Sequence, residues 1–566
     1  MLLIFCLTVF ITFISLLSGF LFYLLLGDKN AYKKPLIFYP FTGLIAITLV
    51  GQLAVLFVPL DIYFSTSFFL AIVILGLLRM KQLFIFFRSI TAVFQKLSLL
   101  TLLFMTVAWL MIVMINSGPI VMDDTDSYHL QMIKWIHEYG SVPGIANLHN
   151  RFGFNSSWFS SISLFIPFSD HRNFYTVLNG TVSVWLASFL IVQINSLNNF
   201  KKGQSFSFSD ISALVLFLAI LLCWPMLRGN STNANYDFVT TSMILVLFLK
   251  TIMLRKETTE DVFISEWITW PIYLFTIRII NFPLLLLSLY GFYTLTRSKE
   301  WKKIVKSSAV SLLLLVPFIA RNVILSGYPF YPSPVANIFN VDWKVDRGMI
   351  NSLLEYIKYF NRVNTTYADI SQTKQLGFPA WVISWFHYLF YYDKLVVIAG
   401  IFSYAASLLW IKRFLAINNK FTKVFVLAFI LQLLSWFFVA PDPRFVYGEL
   451  LCGSVLFISL LVGNRSYPAI IKPVYLFIVL FAGIFLYTFF KIGRDAQYRN
   501  FMLPSLIPQP PVKEVQVDQI LLRIPEKILH NWNPRCYATE LPCLYIVNPK
   551  LRARGKTVAN GFRLEK

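Results

Sequence analysis

The sequence predicts an all-α, polytopic membrane protein with about fourteen transmembrane helices. Of its 566 residues, 57% are hydrophobic and only 13% are charged, whereas soluble proteins carry roughly 25% charged residues. Apolar runs of roughly 18 to 25 residues recur along the chain, and each is long enough to cross about 30 Å of hydrocarbon. The run from Leu97 to Met114 lacks the polar stripe that a helix of a large soluble core would show.

The predicted spans lie near 1–26, 35–59, 63–79, 97–117, 174–194, 209–227, 237–254, 264–278, 280–296, 303–320, 394–411, 423–440, 445–463 and 471–490. The first run, MLLIFCLTVF, has no basic region and no small-residue cleavage site, which indicates a retained span and not a signal peptide. The predicted regions are N-terminal helices, a helical core with a long polar loop (118–173), a second polar loop, C-terminal helices and a polar tail: 1–96, 97–320, 321–393, 394–490 and 491–566.

Charge predicts the orientation. A net charge of +22 would suggest nucleic acid in a soluble protein, but here Lys and Arg lie in short loops between apolar runs. We interpret them as topology determinants and contacts with anionic lipids, with no nucleic-acid partner. The basic loops all follow odd-numbered predicted spans, so they lie on one side of the membrane, which is expected to be the cytoplasm. They are 29–34, 79–96, 201–202, 255–256, 297–306, 412–423 and 465–472. Both termini and the long polar loops are then expected outside.

An acidic cluster follows the span at 97–117, in VMDDTDSYHLQMIKW. Its carboxylates are Asp123, Asp124 and Asp126. Three acids at a low-dielectric edge repel one another, so at least one pKa should rise. Such a carboxylate can act as a general base, and Asp124 with Asp126 could hold Mg²⁺ or Mn²⁺. The alternative is a solvated acidic loop that caps a helix. Four neighbours favour a site: Tyr128, His129, Lys134 and Trp135.

Several short segments are predicted next to the membrane. The pattern from Ser127 to Tyr139 predicts an amphipathic helix lying along the membrane surface. The apolar stretch 157–168 is too short to span, which makes it interfacial or re-entrant. Aromatic segments within 321–393 are expected at the headgroup level, which Trp and Tyr favour.

Arginines accompany the acidic cluster on the predicted outer face. Arg321 and Asn322 follow a span, Arg444 lies with Asp442 in the short PDPRF loop, and Arg278 interrupts an apolar run. Guanidinium groups bind phosphate bidentately, and a charge within a hydrophobic segment normally faces a cavity or a partner. Snorkelling to the interface is the alternative. A further polar loop is less specific: Arg228, Asn230, Asn233, Asn235 and Asp237.

The tail is predicted to be a small, partly extended outer appendage. Cys536 and Cys543 lie within it, in CYATELPC. An oxidising compartment would favour a disulfide between them. Zinc is the weaker interpretation, because no second pair of ligands is nearby.

The residues Asp124, Tyr128, His129, Lys134 and Trp135 resemble the D-x-x-x-Y-H-x-x-x-x-x-W form of the acidic first-loop motif of the GT-C superfamily. These are integral membrane glycosyltransferases that use polyprenyl-phosphate sugars. The stretch YHLQMIKWIHEYGSVPGIANLHNRFGFNSSWF is similar to an uncharacterised bacterial branch of that superfamily. The resemblance covers about residues 90 to 566, and includes the PDPRF loop, the RN-x4-GYPFYP segment and the Arg278 break.

The resemblance implies a GT-C-like catalytic core and an inverting sugar transfer to a cell-envelope glycan, lipid or protein, outside the bacterial inner membrane. Asp124 would be the base, and Asp126 or Asp123 an auxiliary carboxylate or metal ligand. Arg321 and Arg444 would bind the donor phosphate. The other candidate substrate-binding residues are Tyr128, His129, Lys134, Arg278, Asn322 and Asp442. The chain departs from the family pattern in its three preceding spans and in having DDTD where many members have one or two acids.

Three alternatives remain from other classes. A transporter or flippase of lipid-linked glycans would need charges near the bilayer midplane and repeated halves, and neither is evident in the sequence. An oligosaccharide polymerase or ligase needs no acidic motif directly after a span. A non-catalytic scaffold is the third.

Overall fold

The computed structural model describes most of the chain, and the fold given below is that of these residues. They are 1–28, 30–167, 171–194, 205–222, 231–254, 263–363, 370–417, 419–462, 467–468, 473–494, 498, 500, 502–526 and 535–565. Within them the chain is mostly helical, which confirms the all-α prediction. Several residues of the basic and polar loops predicted from the sequence lie outside the described part: Lys29, Lys201, Lys202, Arg228, Asn230, Arg255, Lys256, Arg465 and Lys472.

The helices before the second polar loop are α1 Leu2–Leu26, α2 Phe38–Ala54, α3 Ile62–Leu77, α4 Met80–Phe94, α5 Leu99–Asn116, α6 Leu130–Glu138, α7 Ser157–Leu164, α8 Val177–Gln193, α9 Phe208–Leu222, α10 Asp237–Met253, α11 Ile264–Ile277, α12 Leu285–Arg297 and α13 Trp301–Ser326. Those after it are α14 Arg347–Val363, α15 Ile370–Gln375, α16 Phe378–Tyr388, α17 Tyr391–Ser407, α18 Ile411–Leu415, α19 Lys420–Val439, α20 Tyr447–Val462 and α21 Pro473–Arg494. Three antiparallel strand pairs complete the described fold: β1–β2 (Ser205–Phe206, Tyr467–Pro468), β3–β4 (Val512–Val517, Ile520–Pro525) and β5–β6 (Leu551–Ala553, Phe562–Leu564).

The predicted number of spans is wrong. In the described part of the chain, seven helices are long and apolar enough to cross a membrane, or eight if α3 and α4 form one broken span. The α3–α4 pair bends by 92°. Helices α2, α8 and α10 have 17 residues each and α11 has 14, so each reaches about 26 Å or less. Hydropathy cannot separate such short buried helices from true spans, because both are apolar.

Helices α1 and α2 pack closely because glycine lies at their crossing. A Cβ atom at Gly43 would lie 1.8 Å from the carbonyl oxygen of Ser15, and one at Gly19 would lie 2.0 Å from that of Tyr39. Small residues allow this backbone approach in membrane helices. Any larger side chain at either glycine would push the two helices apart.

The amphipathic helix of the first polar loop is confirmed as α6, preceded by a π-helical turn at Thr125–His129. The prediction that this helix lies along the membrane surface is wrong, because the protein itself encloses it. Every residue from Leu130 to His137 is buried, because α6 packs against α7 and the C-terminal tail covers its polar side chains. Helix α7 is also buried throughout, and packs against α2 and α6. It therefore lies in the protein interior.

The tail is not an appendage, because it folds back onto the first polar loop. The backbone N–H of Tyr537 donates to the carbonyl of Asp126 at 2.9 Å, and that of Phe562 donates to the carbonyl of Pro143 at 3.0 Å. Gln131 in α6 donates to two further tail carbonyls, both at 3.0 Å. These contacts place the tail directly beside the acidic cluster.

Candidate functional site

The three carboxylates of the acidic cluster point to different partners. Asp124 precedes the π-helical turn Thr125–His129, a turn type that is often found at functional sites. Asp124 faces Arg151 of the first polar loop and Arg444 of the short helix Pro443–Val446, whereas Asp123 and Asp126 face Arg535 of the tail. The cluster is therefore divided between two environments.

Asp124 lies between two guanidinium groups. Its Oδ2 atom is 2.9 Å from Nη2 of Arg444, and its Oδ1 atom is 3.5 Å from Nη1 of Arg151. The side chains of Asp124, Arg444 and Arg151 are 25%, 27% and 28% exposed, so a ligand can reach all three. Burial by itself would raise the pKa of Asp124, but the two arginines outweigh it and hold this pKa well below its usual range.

Arg444 is the centre of a larger ion-pair set. Its Nε atom lies 3.0 Å from Asp442 and 3.7 Å from Asp237. Asp442 also accepts the backbone N–H of Arg444 at 3.1 Å and thereby caps the short helix Pro443–Val446. Three carboxylates thus share this guanidinium, which fixes its position with respect to Asp124.

Arg278 joins the same set through Asp237. Helix α11 ends at Ile277, as the sequence break predicted, and Arg278 has extended backbone with φ −155°. Its Nη1 atom lies 2.9 Å from Asp237 Oδ1, and its guanidinium lies 3.3 Å from the ring centre of Phe445. Positive and negative groups therefore alternate from Arg278 to Asp124.

Asp126 and Asp123 are paired with the tail. Arg535 Nη2 is 2.7 Å from Asp123, and its Nη1 is 3.5 Å from Asp126. The Asp126 side chain is only 9% exposed. Its burial raises the pKa to about 7, although Arg535 opposes the rise. The disulfide Cys536–Cys543 is present and follows Arg535 directly.

Arg321 and Asn322 are fully buried and do not reach Asp124. Arg321 Nη1 donates to Asn155 Oδ1, and Asn322 Nδ2 donates to the carbonyl of Pro329 at 2.9 Å. Among the described residues, the Nε and Nη2 atoms of Arg321 have no hydrogen-bond partner. The structure thus separates the two arginines that the sequence grouped as phosphate ligands.

The remaining candidates of the motif have distinct surroundings. The Tyr128 ring lies 5.3 Å from the guanidinium of Arg151, next to Asp124. His129 is buried, and burial lowers its pKa to about 3, so its imidazole is neutral. Lys134 donates to two consecutive tail carbonyls at 2.9 and 3.1 Å. Tyr128 therefore borders the carboxylate, whereas Lys134 holds the tail.

Two arginines of the site were not identified from the sequence. Arg151 lies in the polar stretch NLHNRFGFNSS, and Arg535 lies in the tail. Neither has a local motif, and their partners come from distant segments. The Arg535–Cys536 adjacency was the one available signal, because a disulfide loop holds its neighbours in place.

The carboxylates do not fit a divalent metal in this arrangement. Both oxygens of Asp124 face guanidinium groups, and Asp126 is paired with Arg535. In the part of the chain that the structure describes, no three His, Cys, Asp or Glu side chains converge as metal ligands. A cation would have to displace arginines, whereas a phosphate would be attracted to them.

The comparison with protein families gives one result. Residues 1–451 match the model of a family described as Domain of unknown function (DUF8201). No curated protein and no solved structure matches the chain. The matched region includes the acidic cluster and Arg151, Arg278, Arg321 and Arg444, and it ends before the tail. Because the match covers most of the 566 residues, the chain belongs to the DUF8201 family.

Proposed function

We propose that the protein is a membrane glycosyltransferase. It moves a sugar from a polyprenyl-phosphate donor to a glycan, lipid or protein acceptor of the cell envelope. One observation carries the proposal: Asp124 is held between Arg444 and Arg151, and all three are partly exposed. A base for the acceptor and cations for a phosphate thus meet at one point, beside apolar helices that could accommodate a lipid tail.

Donor binding would activate the base. While Asp124 is paired with two arginines its pKa is low, and such a carboxylate is a weak base. A donor phosphate would compete for the guanidinium groups of Arg444 and Arg151. Released from them, Asp124 would regain a higher pKa at the moment when the sugar is in place.

The reaction follows from these roles. Asp124 takes the proton of the acceptor hydroxyl, and the oxygen attacks C1 of the sugar from the face opposite the phosphate. The bond from C1 to the phosphate oxygen breaks, and its electron pair leaves with the polyprenyl phosphate. Arg444 stabilises the charge that develops on this leaving group.

The proposed location is the outer face of the bacterial inner membrane. Its support is local, because the apolar helix Leu99–Asn116 separates Asp124 from Lys96, and the apolar helix Lys420–Val439 separates Arg444 from the basic residues Lys412 and Arg413. Labelling single cysteines introduced at Asp123 and at Lys299, in intact cells, tests it. A membrane-impermeant thiol reagent should react with the first and not with the second.

The proposal assigns no step to a metal. If Mg²⁺ or Mn²⁺ were required at Asp124 or Asp126, a chelator would abolish activity and either ion would restore it. We expect activity to persist in the chelator, because the guanidinium groups already supply the positive charge.

The decisive experiment uses purified protein in lipid with a panel of radiolabelled polyprenyl-phosphate sugars and a cell-envelope extract as acceptor. Wild-type protein should release polyprenyl phosphate, and Asp124→Asn should not. Asp342→Asn is the matched control, since Asp342 is also paired with an arginine (Arg554, 2.8 Å) but lies away from the site.

The same assay separates the alternatives. Donor movement across the bilayer without sugar transfer would instead identify a transporter or flippase. Joining of whole lipid-linked glycans would identify a polymerase or ligase. Wild-type turnover in Asp124→Asn would remove Asp124 as the base.

A further inference from the structure

A cleft lies beside the site, between the turn Asn150–Gly153 and helix α14. Its volume is about 500 Å³, within the roughly 300–1,000 Å³ typical of small-molecule sites. Its lining residues are Asn150, Gly348, Met349, Ser352, Leu353 and Tyr356. No role described so far uses this cleft.

The walls of the cleft are held in place from behind. The hydroxyl of Tyr331 donates to the carbonyl of Asn150 at 2.9 Å. Ile350 and Leu353 of α14 pack with Tyr331 in a small hydrophobic core separate from the main one. Both walls are therefore anchored to the same tyrosine, and the cleft exists before any ligand arrives.

Tyr356 connects the cleft to the carboxylate. Its ring lines the cleft and also lies 6.0 Å from the guanidinium of Arg151. Arg151 in turn lies 3.5 Å from Asp124. A ligand in the cleft would thus be separated from Asp124 by one tyrosine and one arginine.

The lining chemistry selects the ligand. None of the six lining side chains carries a charge, so the lining itself has no group that would form an ion pair with a phosphate. It offers an aromatic ring, an amide and a hydroxyl, together with two apolar side chains. A sugar has the matching surfaces, because its C–H face can pack on an aromatic ring and its hydroxyls can pair with amide and hydroxyl groups.

We propose that this cleft binds a neutral saccharide, with Tyr356 as the ring on which the sugar packs. Naming that saccharide the acceptor rests on the proposed glycosyl transfer. The acceptor hydroxyl would then approach Asp124 from the side of Arg151. The donor phosphate would bind Arg444, which contacts the other carboxylate oxygen of Asp124.

The test is saccharide binding by the full-length protein in lipid nanodiscs, measured by saturation-transfer NMR. The probes are the methyl glycosides of neutral hexoses and N-acetylhexosamines and the disaccharides built from them. Wild-type protein should bind at least one probe, and Tyr356→Ala should weaken that binding roughly tenfold, as expected for loss of an aromatic contact. Tyr356→Phe should retain most of the affinity.

Two further variants keep the result interpretable. Tyr359→Ala removes a tyrosine of the same helix that does not line the cleft, and should bind as the wild type does. Ser352→Trp fills the cleft from an exposed position and should abolish binding even if Tyr356→Ala does not fold. Absence of saccharide binding in the wild type, or binding unchanged in both Ser352→Trp and Tyr356→Ala, would overturn the proposal.

The outcome is separate from that of the transfer assay. Saccharide binding that depends on Tyr356, without any sugar transfer, would support the cleft and reject the glycosyltransferase. Sugar transfer that proceeds normally in Ser352→Trp would support the enzyme and reject the cleft as its acceptor site.

Discussion

Asp124 and Asp126 are two residues apart, yet the fold gives them opposite environments. Asp124 is a quarter exposed and faces Arg151 and Arg444, which lower its pKa. Asp126 is enclosed by the tail, and burial raises its pKa to about 7. The comparison teaches that the spacing of an acidic motif does not assign its roles, because the deciding partners come from elsewhere in the chain.

The two properties that a base requires are divided between these residues. Asp126 has the pKa closer to neutral, which suits proton transfer, but its side chain is 9% exposed. Asp124 is accessible, and a bound phosphate would raise its pKa. Within the proposed sugar transfer we therefore place the base at Asp124, whereas Asp126 contacts the tail through Arg535.

The largest expected effect tests this assignment directly. Asp124→Asn should lower sugar transfer by about 10³-fold or more, because proton transfer by a positioned group contributes about 10²–10⁴-fold and the phosphate-binding arginines would also be perturbed. Asp126→Asn should lower it less than about tenfold. Initial rates at saturating donor measure both, and the reverse order would make Asp126 the base.

Arg444→Gln should have the next largest effect. In the proposed reaction it removes the cation that stabilises the leaving phosphate, a type of loss that costs about 10²–10³-fold in kcat. It also removes one of the two arginines that contact Asp124, so the pKa of Asp124 should rise. The acid limb of the pH–rate profile should therefore move to higher pH. Arg554→Gln, which removes an exposed ion pair with Asp342, is the control and should leave both unchanged.

The pKa of Asp126 predicts a stability change with pH. Its folded pKa of about 7 lies above the ordinary value of 3.8, so the folded state binds more protons, and stability falls as pH rises between these values. From about pH 5 to pH 8 the loss of stability should reach roughly 3 kcal/mol.

Thermal unfolding of wild type and Asp126→Asn isolates this contribution as the difference between the two proteins. Buried neutral His129 contributes with the opposite sign in both proteins. Equal pH dependence in the two would show that Asp126 is already ionised at pH 5.

Removing the disulfide should have the smallest effect. Replacing both Cys536 and Cys543 by Ser should destabilise the tail by roughly 2 kcal/mol, the value expected for a short closed loop. Hydrogen exchange should increase around Arg535 and Asp126, and remain unchanged around Arg444. Increased exchange at Arg444 as well would mean that the tail supports both halves of the acidic cluster.

Much of the local structure could be predicted. The all-α class follows from the apolar runs, and the break at Arg278 and helix α6 follow from local patterns, because a few neighbouring residues decide them. The number of spans could not be predicted in this way. A short apolar helix such as α2 or α8 has the hydropathy of a span, and only its neighbours in space show that it is buried in protein.

The sequence by itself determined that the chain is a helical membrane protein and that acids and arginines occur in its polar loops. These properties depend on composition and on local periodicity, which act over a few turns of chain. Only the tertiary structure decided which charges meet. Asp124 and Arg444 are 320 residues apart, and Gln131 and its tail partner Tyr537 are 406 apart. Such pairs form because helix packing brings their segments together, and the burial that accompanies packing also sets the pKa of each carboxylate.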